Sequence, residues 1–227
     1  MGTSKGYIAP TTPHWSKAKR AVTSFVNNQD YDSKAKAAGR YAAAMKTDMS
    51  TGGSFQSAAS AMMGFAQQVA ARGLDNALKE YNREDLIGKS SEVIWSELLH
   101  EFTNAGASIE DNLAADALSQ AMDNLNIEDI VDIGNVPADV LLKEMLKEYI
   151  KENFDFRYEE KISRGKTPAQ TADILKDMHE YIENSIDGEL DLSGLKTVDF
   201  SDIGTSQIVD SILMDALSVF EKYYGED

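Results

Sequence analysis

The chain has 227 residues, with 22 Lys and Arg against 38 Asp and Glu for a formal charge of −16, three His and no Cys. The length suits one large domain or two small ones, and either buries enough surface to need no disulfide or metal staple. Without cysteine there is no disulfide framework, no thiolate nucleophile and no Cys-based zinc or iron–sulfur site, and so acidic a chain is ill suited to coating nucleic acid generally. The charge is uneven along the chain: residues 1–50 hold eight basic residues and three acidic ones, a net +5, and the remainder holds 14 and 35, a net −21. Two explanations stand, a surface for a partner or a basic segment packed on the acidic part of the same molecule.

Residues 1–13, MGTSKGYIAPTTP, have no periodic pattern and predict an extended, flexible tail. The tail is polar and broken by Pro10 and Pro13, unlike a secretory signal. The most apolar stretch, 58–71, is Ala-rich and carries Gln67 and Gln68, and it falls short of the ~20 apolar residues of a membrane span. A cytoplasmic location is the default expectation.

Residues 14–227 read as one helical domain, in which basic, small-residue-rich helices over 14–82 pack on an acidic helical body over 83–227. The first helix starts between Pro13 and Trp15, with proline suited to a first turn. Its apolar stripe is Trp15, Ala18, Val22, Phe25 and Val26, which leaves Lys17, Lys19 and Arg20 outward. Asp32 or Ser33 is expected to cap a second, Ala-rich helix to about residue 49. Thr51-Gly52-Gly53 breaks the pattern. A third helix covers 54–72 with Phe55, Ala58, Ala59, Met62, Phe65, Ala66 and Val69 on one face, and Gly73 ends it before a short helix through Leu74, Ala77, Leu78 and Tyr81.

The next helix is capped by Ser90 or Ser91, with Val93, Ile94, Leu98 and Phe102 expected inward. Ser108 and Asp111 then form a capping-box-like pair opening a helix through Leu113, Ala117, Ala121 and Leu125. Pro137 begins the strongest helix, with Val140, Leu141, Met145, Leu146, Tyr149, Ile150 and Phe154, running to about Ile162 and closed by Gly165. Thr167-Pro168 begins another, ending near Ile186. Residues 187–202 are expected to be a loop or a short β-ribbon, and a last helix covers about 206–224. The fold class is therefore all-α: an irregular multi-helix bundle with an extended, flexible N-terminal tail.

Catalytic signatures are sparse. Glu97 and His100 stand three apart on one helical face, but the second such step that a di-iron bundle uses is missing. His179-Glu180 lacks the second His of a zincin. Asp187, Glu189 and Asp191 alternate as a calcium loop begins, but Gly188 comes too early and Val198 occupies the position of the closing Glu. No phosphate-binding glycine loop and no nucleophile elbow is present. The basic run around Lys17, Lys19 and Arg20, with Trp15 beside it, reads either as a solvated helix start or as a contact for a partner or nucleic acid.

The tail has its own ambiguity. Gly2 follows Met1, so initiator removal would expose a glycine amine on a narrow terminus. Gly6 replaces the Ser or Thr that N-myristoylation requires. A plain frayed terminus is the alternative.

Met1-Gly2-Thr3-Ser4-Lys5-Gly6-Tyr7, the Pro-containing linker to Trp15, Gly39-Arg40-Tyr41, the Thr51-Gly52-Gly53 break and the small-residue helix over 58–72 together resemble the QatB family of the four-component Qat anti-phage defence system. The likeness continues more weakly in 137–162 with Tyr149-Ile150, and departs at Ile8-Ala9-Pro10, where relatives are richer in Gly and Pro. The resemblance implies a non-enzymatic protein acting beside a QueC-like, ATP-using deazaguanine enzyme, an ATPase and a TatD-like nuclease. It further implies that the QueC-like enzyme joins a deazaguanine to the exposed Gly2 amine, with Thr3 and Ser4 in its channel and Lys5, Gly6 and Tyr7 completing the bound tail. A covalent deazaguanine on Gly2 would be the only cofactor-like group.

Overall fold

The computed structural model describes residues 12–49, 53–200 and 204–222. Among them are nine α-helices, four short 3-10 turns and no strand: α1 Pro13–Asn28, α2 Tyr31–Asp48, α3 Ser54–Arg72, α4 Leu74–Glu80, α5 Ser91–Phe102, α6 Ile109–Asn124, α7 Ala138–Ser163, α8 Pro168–Glu189 and α9 Thr205–Glu221. The all-α expectation holds. The tail expected over 1–13 falls outside the described residues at 1–11, while Thr12 caps α1 and Pro13 is its first residue. The chain divides into two compact units, one of 1–49, 153–190 and 214–227, the other of 50–152 and 191–213. The first carries 14 Lys and Arg against 16 Asp and Glu, the second 8 against 22.

In the first unit, α1 and α2 form a hairpin. Gln29 takes the left-handed conformation that stops α1 (φ 53°). Asp30 then caps α2 by accepting a hydrogen bond from the Ser33 N–H at 2.7 Å, and that contact holds its carboxyl below the usual range. The cap is therefore Asp30 rather than Asp32 or Ser33, because a capping side chain reaches the N–H three residues ahead. Ala18, Ala21, Val22 and Phe25 of α1 and Ala35, Ala38, Ala42 and Met45 of α2 are buried, and the small residues let the two backbones approach closely. Tyr41 anchors an aromatic cluster, edge-on to Phe154 at 5.3 Å and to Tyr158 at 6.1 Å. Lys34 pairs with Asp177, and Lys46 reaches Glu221 at 2.6 Å and the Ser218 hydroxyl at 2.7 Å.

In the second unit, α3 is the central element. Its residues Phe55, Ala58, Ala59, Met62, Met63 and Phe65 are at most 1% exposed, Phe55 stacks flat on Tyr149 at 4.0 Å, and Phe65 meets Tyr81 edge-on at 5.5 Å. Its polar residues are matched to distant segments. The Gln67 side chain donates to the Val198 carbonyl at 2.7 Å and accepts from the Phe200 N–H at 2.8 Å. Gln56 donates to Asp210 at 2.9 Å. The stretch expected over 187–202 as a loop or short ribbon is a loop from Leu190 to Phe200: α8 runs on to Glu189, a 3-10 turn covers Ser193–Thr197, Gln67 supplies backbone partners that a pairing strand would have offered, and residues 201 and 202 lie outside the described residues.

The expected starts of α6 and α8 hold. Ser108 and Asp111 form a reciprocal capping box, and Thr167 and Gln170 form another. Two inward assignments fail: Val93 and Val140 are each 44% exposed. Both lie in the first turn of their helices, where a regular stripe overruns the packed face.

Candidate interaction site

The tail residues Gly2, Thr3, Ser4, Lys5, Gly6 and Tyr7 lie outside the described residues. Of the remaining sequence candidates, Lys17, Lys19 and Arg20 are exposed on α1. Trp15 is not on that surface. It is 4% exposed, donates from Nε1 to Asp48 at 2.5 Å, lies 6.3 Å from the Tyr41 ring and carries the Arg157 guanidinium 4.1 Å above its own ring. Reading Trp15 as a contact residue is thus corrected. A tryptophan on the helix stripe with both a carboxylate and an aromatic neighbour available satisfies its one donor inside the fold.

An open cleft of about 390 Å³ runs between α1 and α2, lined by Lys17, Arg20, Ala21, Ser24, Lys36 and Arg40. The hairpin brings together cations at 17 and 20 on one helix with 36 and 40 on the other. None of the four makes an ion pair or hydrogen bond with another described residue. α1 has no acidic residue at all, and of the three acids on the hairpin, Asp30 caps α2, Asp48 holds Trp15 and Asp32, in the first turn of α2, is not among the residues that line the cleft. Lys161 adds to the positive side of α1, donating to the Lys19 carbonyl at 2.7 Å and to the Thr23 hydroxyl. Its ammonium is pushed below the usual lysine range, first by burial and then by the neighbouring Lys19 and Arg164 charges. Lys36 and Arg40 did not stand out in the sequence. The available signal was a short turn folding two cation-bearing helices together.

The other residues singled out for chemistry have structural partners. Glu97 joins Asp85 and Glu101 around Arg83, at 3.1, 3.0 and 3.2 Å. This raises the Arg83 pKa, through the Asp85 hydrogen bond above all. His100 is exposed. His179 Nε2 lies 2.8 Å from Asp155. Asp187 and Glu189 fall inside α8, so they and Asp191 form no ion-binding loop. In the second unit a separate cleft of about 470 Å³ has Trp95, Met122, Ile127 and Ile130 in its wall beside Glu92, Asp123 and Glu128.

These features define an all-α protein whose conspicuous exposed chemistry is charge on helical surfaces. A family model described as the Qat anti-phage system associated protein QatB matches residues 42–220. That span is most of the chain, and the chain belongs to the QatB family. Its system-level role follows: it is a component of the Qat anti-phage system. No curated protein matches the chain and no solved structure does. No helix among the described residues is long and apolar enough to cross a membrane.

Proposed function

We propose that this chain acts in anti-phage defence as a partner and substrate rather than as a catalyst: it binds a QueC-like, ATP-using enzyme and presents its N-terminal glycine for covalent attachment of a deazaguanine. The observation that carries the reading is family membership, read together with the Met1-Gly2-Thr3-Ser4 start. The matched span begins at residue 42, so the tail's role rests on its own residues and on their resemblance to the family's N-terminus.

The chemistry suits a glycine terminus. Once Met1 is removed, the α-amine of Gly2 is an unhindered primary amine. With a pKa of about 7.7–8.0, a substantial fraction is neutral and nucleophilic near pH 7.5. The enzyme's ATP would activate the deazaguanine as an acyl phosphate or acyl adenylate, so that the Gly2 nitrogen forms the new bond as the phosphate or AMP departs, and the proton it releases passes to the enzyme's site. Thr3 and Ser4 bring small hydroxyl side chains into a narrow channel, and Lys5, Gly6 and Tyr7 continue the bound segment. An ATPase and a TatD-like nuclease of the same system are the further partners in this reading, and the cytoplasm is where they would meet.

Co-expression with the QueC-like enzyme followed by intact-mass measurement tests it. The expected result is a mass increase of one deazaguanine moiety, localised to Gly2 by fragmentation and lost in Gly2→Pro, with the two proteins co-purifying. An unmodified terminus together with failure to co-purify would overturn the reading.

A further inference from the structure

The tail accounts for none of the cations on the α1–α2 hairpin. A chain with a surplus of acid that leaves Lys17, Arg20, Lys36 and Arg40 without an ion pair among the described residues, all lining one cleft, forgoes neutralisation where it would be easiest. Elsewhere in the same unit the fold does neutralise: Lys34 takes Asp177, Lys46 takes Glu221 and Lys222 takes Glu189 at 2.7 Å. Four like charges around a cleft of about 390 Å³ repel one another, and an anion that bridges them relieves that repulsion.

The lining also indicates the kind of anion. It combines two arginine forks, two lysines and the Ser24 hydroxyl with no aromatic residue. Arginine forks match phosphate oxygens bidentately, whereas a site that also holds the bases would add an aromatic platform on which they stack. Lys17 and Arg20 lie along one helix and Lys36 and Arg40 along the next, so the charges form a track instead of a single focus.

We propose that the cleft between α1 and α2 binds the phosphodiester backbone of a nucleic acid, through Lys17, Arg20, Lys36 and Arg40 and without reading base identity. This site is separate from the tail and needs no partner protein. The setting favours local binding over general coating. The unit that holds the cleft is almost charge-balanced, at 14 basic against 16 acidic residues, while the other unit carries 8 against 22.

The test is fluorescence anisotropy of the full chain alone with labelled 12-nucleotide single strands of mixed and homopolymer sequence, titrated at several salt concentrations. If the four cations each neutralise a phosphate, log K falls with log salt at a slope of about −3, a loss of about 50-fold between 50 and 200 mM. Homopolymers and mixed sequences should bind within a few-fold of one another. Arg20→Glu with Arg40→Glu should abolish binding at 200 mM and at least halve the slope, whereas Lys79→Glu, exposed in the other unit, should leave both unchanged. Should the double variant fail to fold by circular dichroism, Lys17→Glu and Lys36→Glu, both exposed, take its place. No binding at 50 mM salt, or binding that the cleft variants leave within twofold, would overturn the proposal. So would competition by inorganic triphosphate as effective, per phosphate, as unlabelled oligonucleotide, since the ligand would then be a small phosphate compound.

Discussion

Whether Trp15 is core or contact is decided by substitution. Trp15→Ala removes a side chain that is 4% exposed, the Nε1 hydrogen bond to Asp48 and the ring beneath the Arg157 guanidinium. Truncating a buried Trp or Phe to Ala costs about 3–5 kcal/mol. At roughly 2–4 °C per kcal/mol for a domain of this size, the melting temperature falls by about 6–20 °C. Trp15→Phe keeps most of the packing. It loses the hydrogen bond, whose cost sits at the low end of ~1.5–3 kcal/mol because exposed Asp48 is rehydrated, and part of a cation–π contact worth ~0.5–2 kcal/mol; a loss of about 2 kcal/mol is expected. Urea unfolding followed by circular dichroism measures both variants. If the two units unfold in separate steps, only the step of the unit containing Trp15 should move. The chain has two tryptophans, and Trp95 is half-buried. Trp95→Phe should therefore leave a blue-shifted emission from Trp15, and Trp15→Phe a redder one from Trp95. A Trp15→Ala variant within 1 kcal/mol of the wild type, with water-like emission from Trp15 as sole tryptophan, would refute the argument and return Trp15 to the surface.

Two further predictions concern helix packing and capping. A Cβ on Gly64 would meet the Phe200 carbonyl oxygen at 2.9 Å and the Tyr81 hydroxyl at 2.8 Å, so Gly64→Ala should lose about 1–2 kcal/mol, overpacking outweighing the ~1 kcal/mol of helix propensity. Gly188→Ala, in a helix with nothing within 4 Å, should instead gain about 0.5 kcal/mol; urea midpoints that moved the same way in both would defeat the packing account. Asp111 accepts from the Ser108 N–H at 2.9 Å and hydroxyl at 2.8 Å, and the Ser108 hydroxyl chiefly, with Ser54 next, holds its carboxyl below the usual value. A depressed folded pKa stabilises the fold above the unfolded value of about 3.9 and ceases to as pH falls through the folded one. Asp111→Asn should therefore cost about 1–2 kcal/mol at pH 7, a gap that narrows as the pH falls below the unfolded value of about 3.9; a pH-independent gap would show that the carboxylate charge is not what matters.

Much of the helical framework was legible because its determinants are local. Ser108 with Asp111 and Thr167 with Pro168 announce helix starts within four residues, and Gly73 and Gly165, at φ 80° and 73°, mark stops where an L side chain would be strained. What escaped was set by contacts between remote segments. Nothing near Gln67 says that its amide will hold residues 198 and 200, so the sequence left the stretch after α8 open between a loop and a short ribbon, and only that clamp decides for the loop. Trp15 satisfied two descriptions at once, an apolar stripe and an aromatic beside basic residues, and only the positions of Asp48, Tyr41 and Arg157 separate them.

The same distinction sharpens the charge split. Along the chain, the first 50 residues are the basic part, but folding sorts those residues by what faces them. Lys34 and Lys46 are turned towards Asp177 and Glu221, which is the intramolecular packing that the asymmetry allowed. Lys17, Arg20, Lys36 and Arg40 are turned to one cleft without a carboxylate among its lining residues, which is the partner-facing surface that it equally allowed. Periodicity could not divide the eight cations between these roles, because the acidic residues that neutralise two of them lie more than 140 positions away. A three-residue spacing on α1 and a four-residue spacing on α2 each look like an ordinary solvated face. They become one site only because the chain reverses at Gln29 and Asp30 and lays one face beside the other.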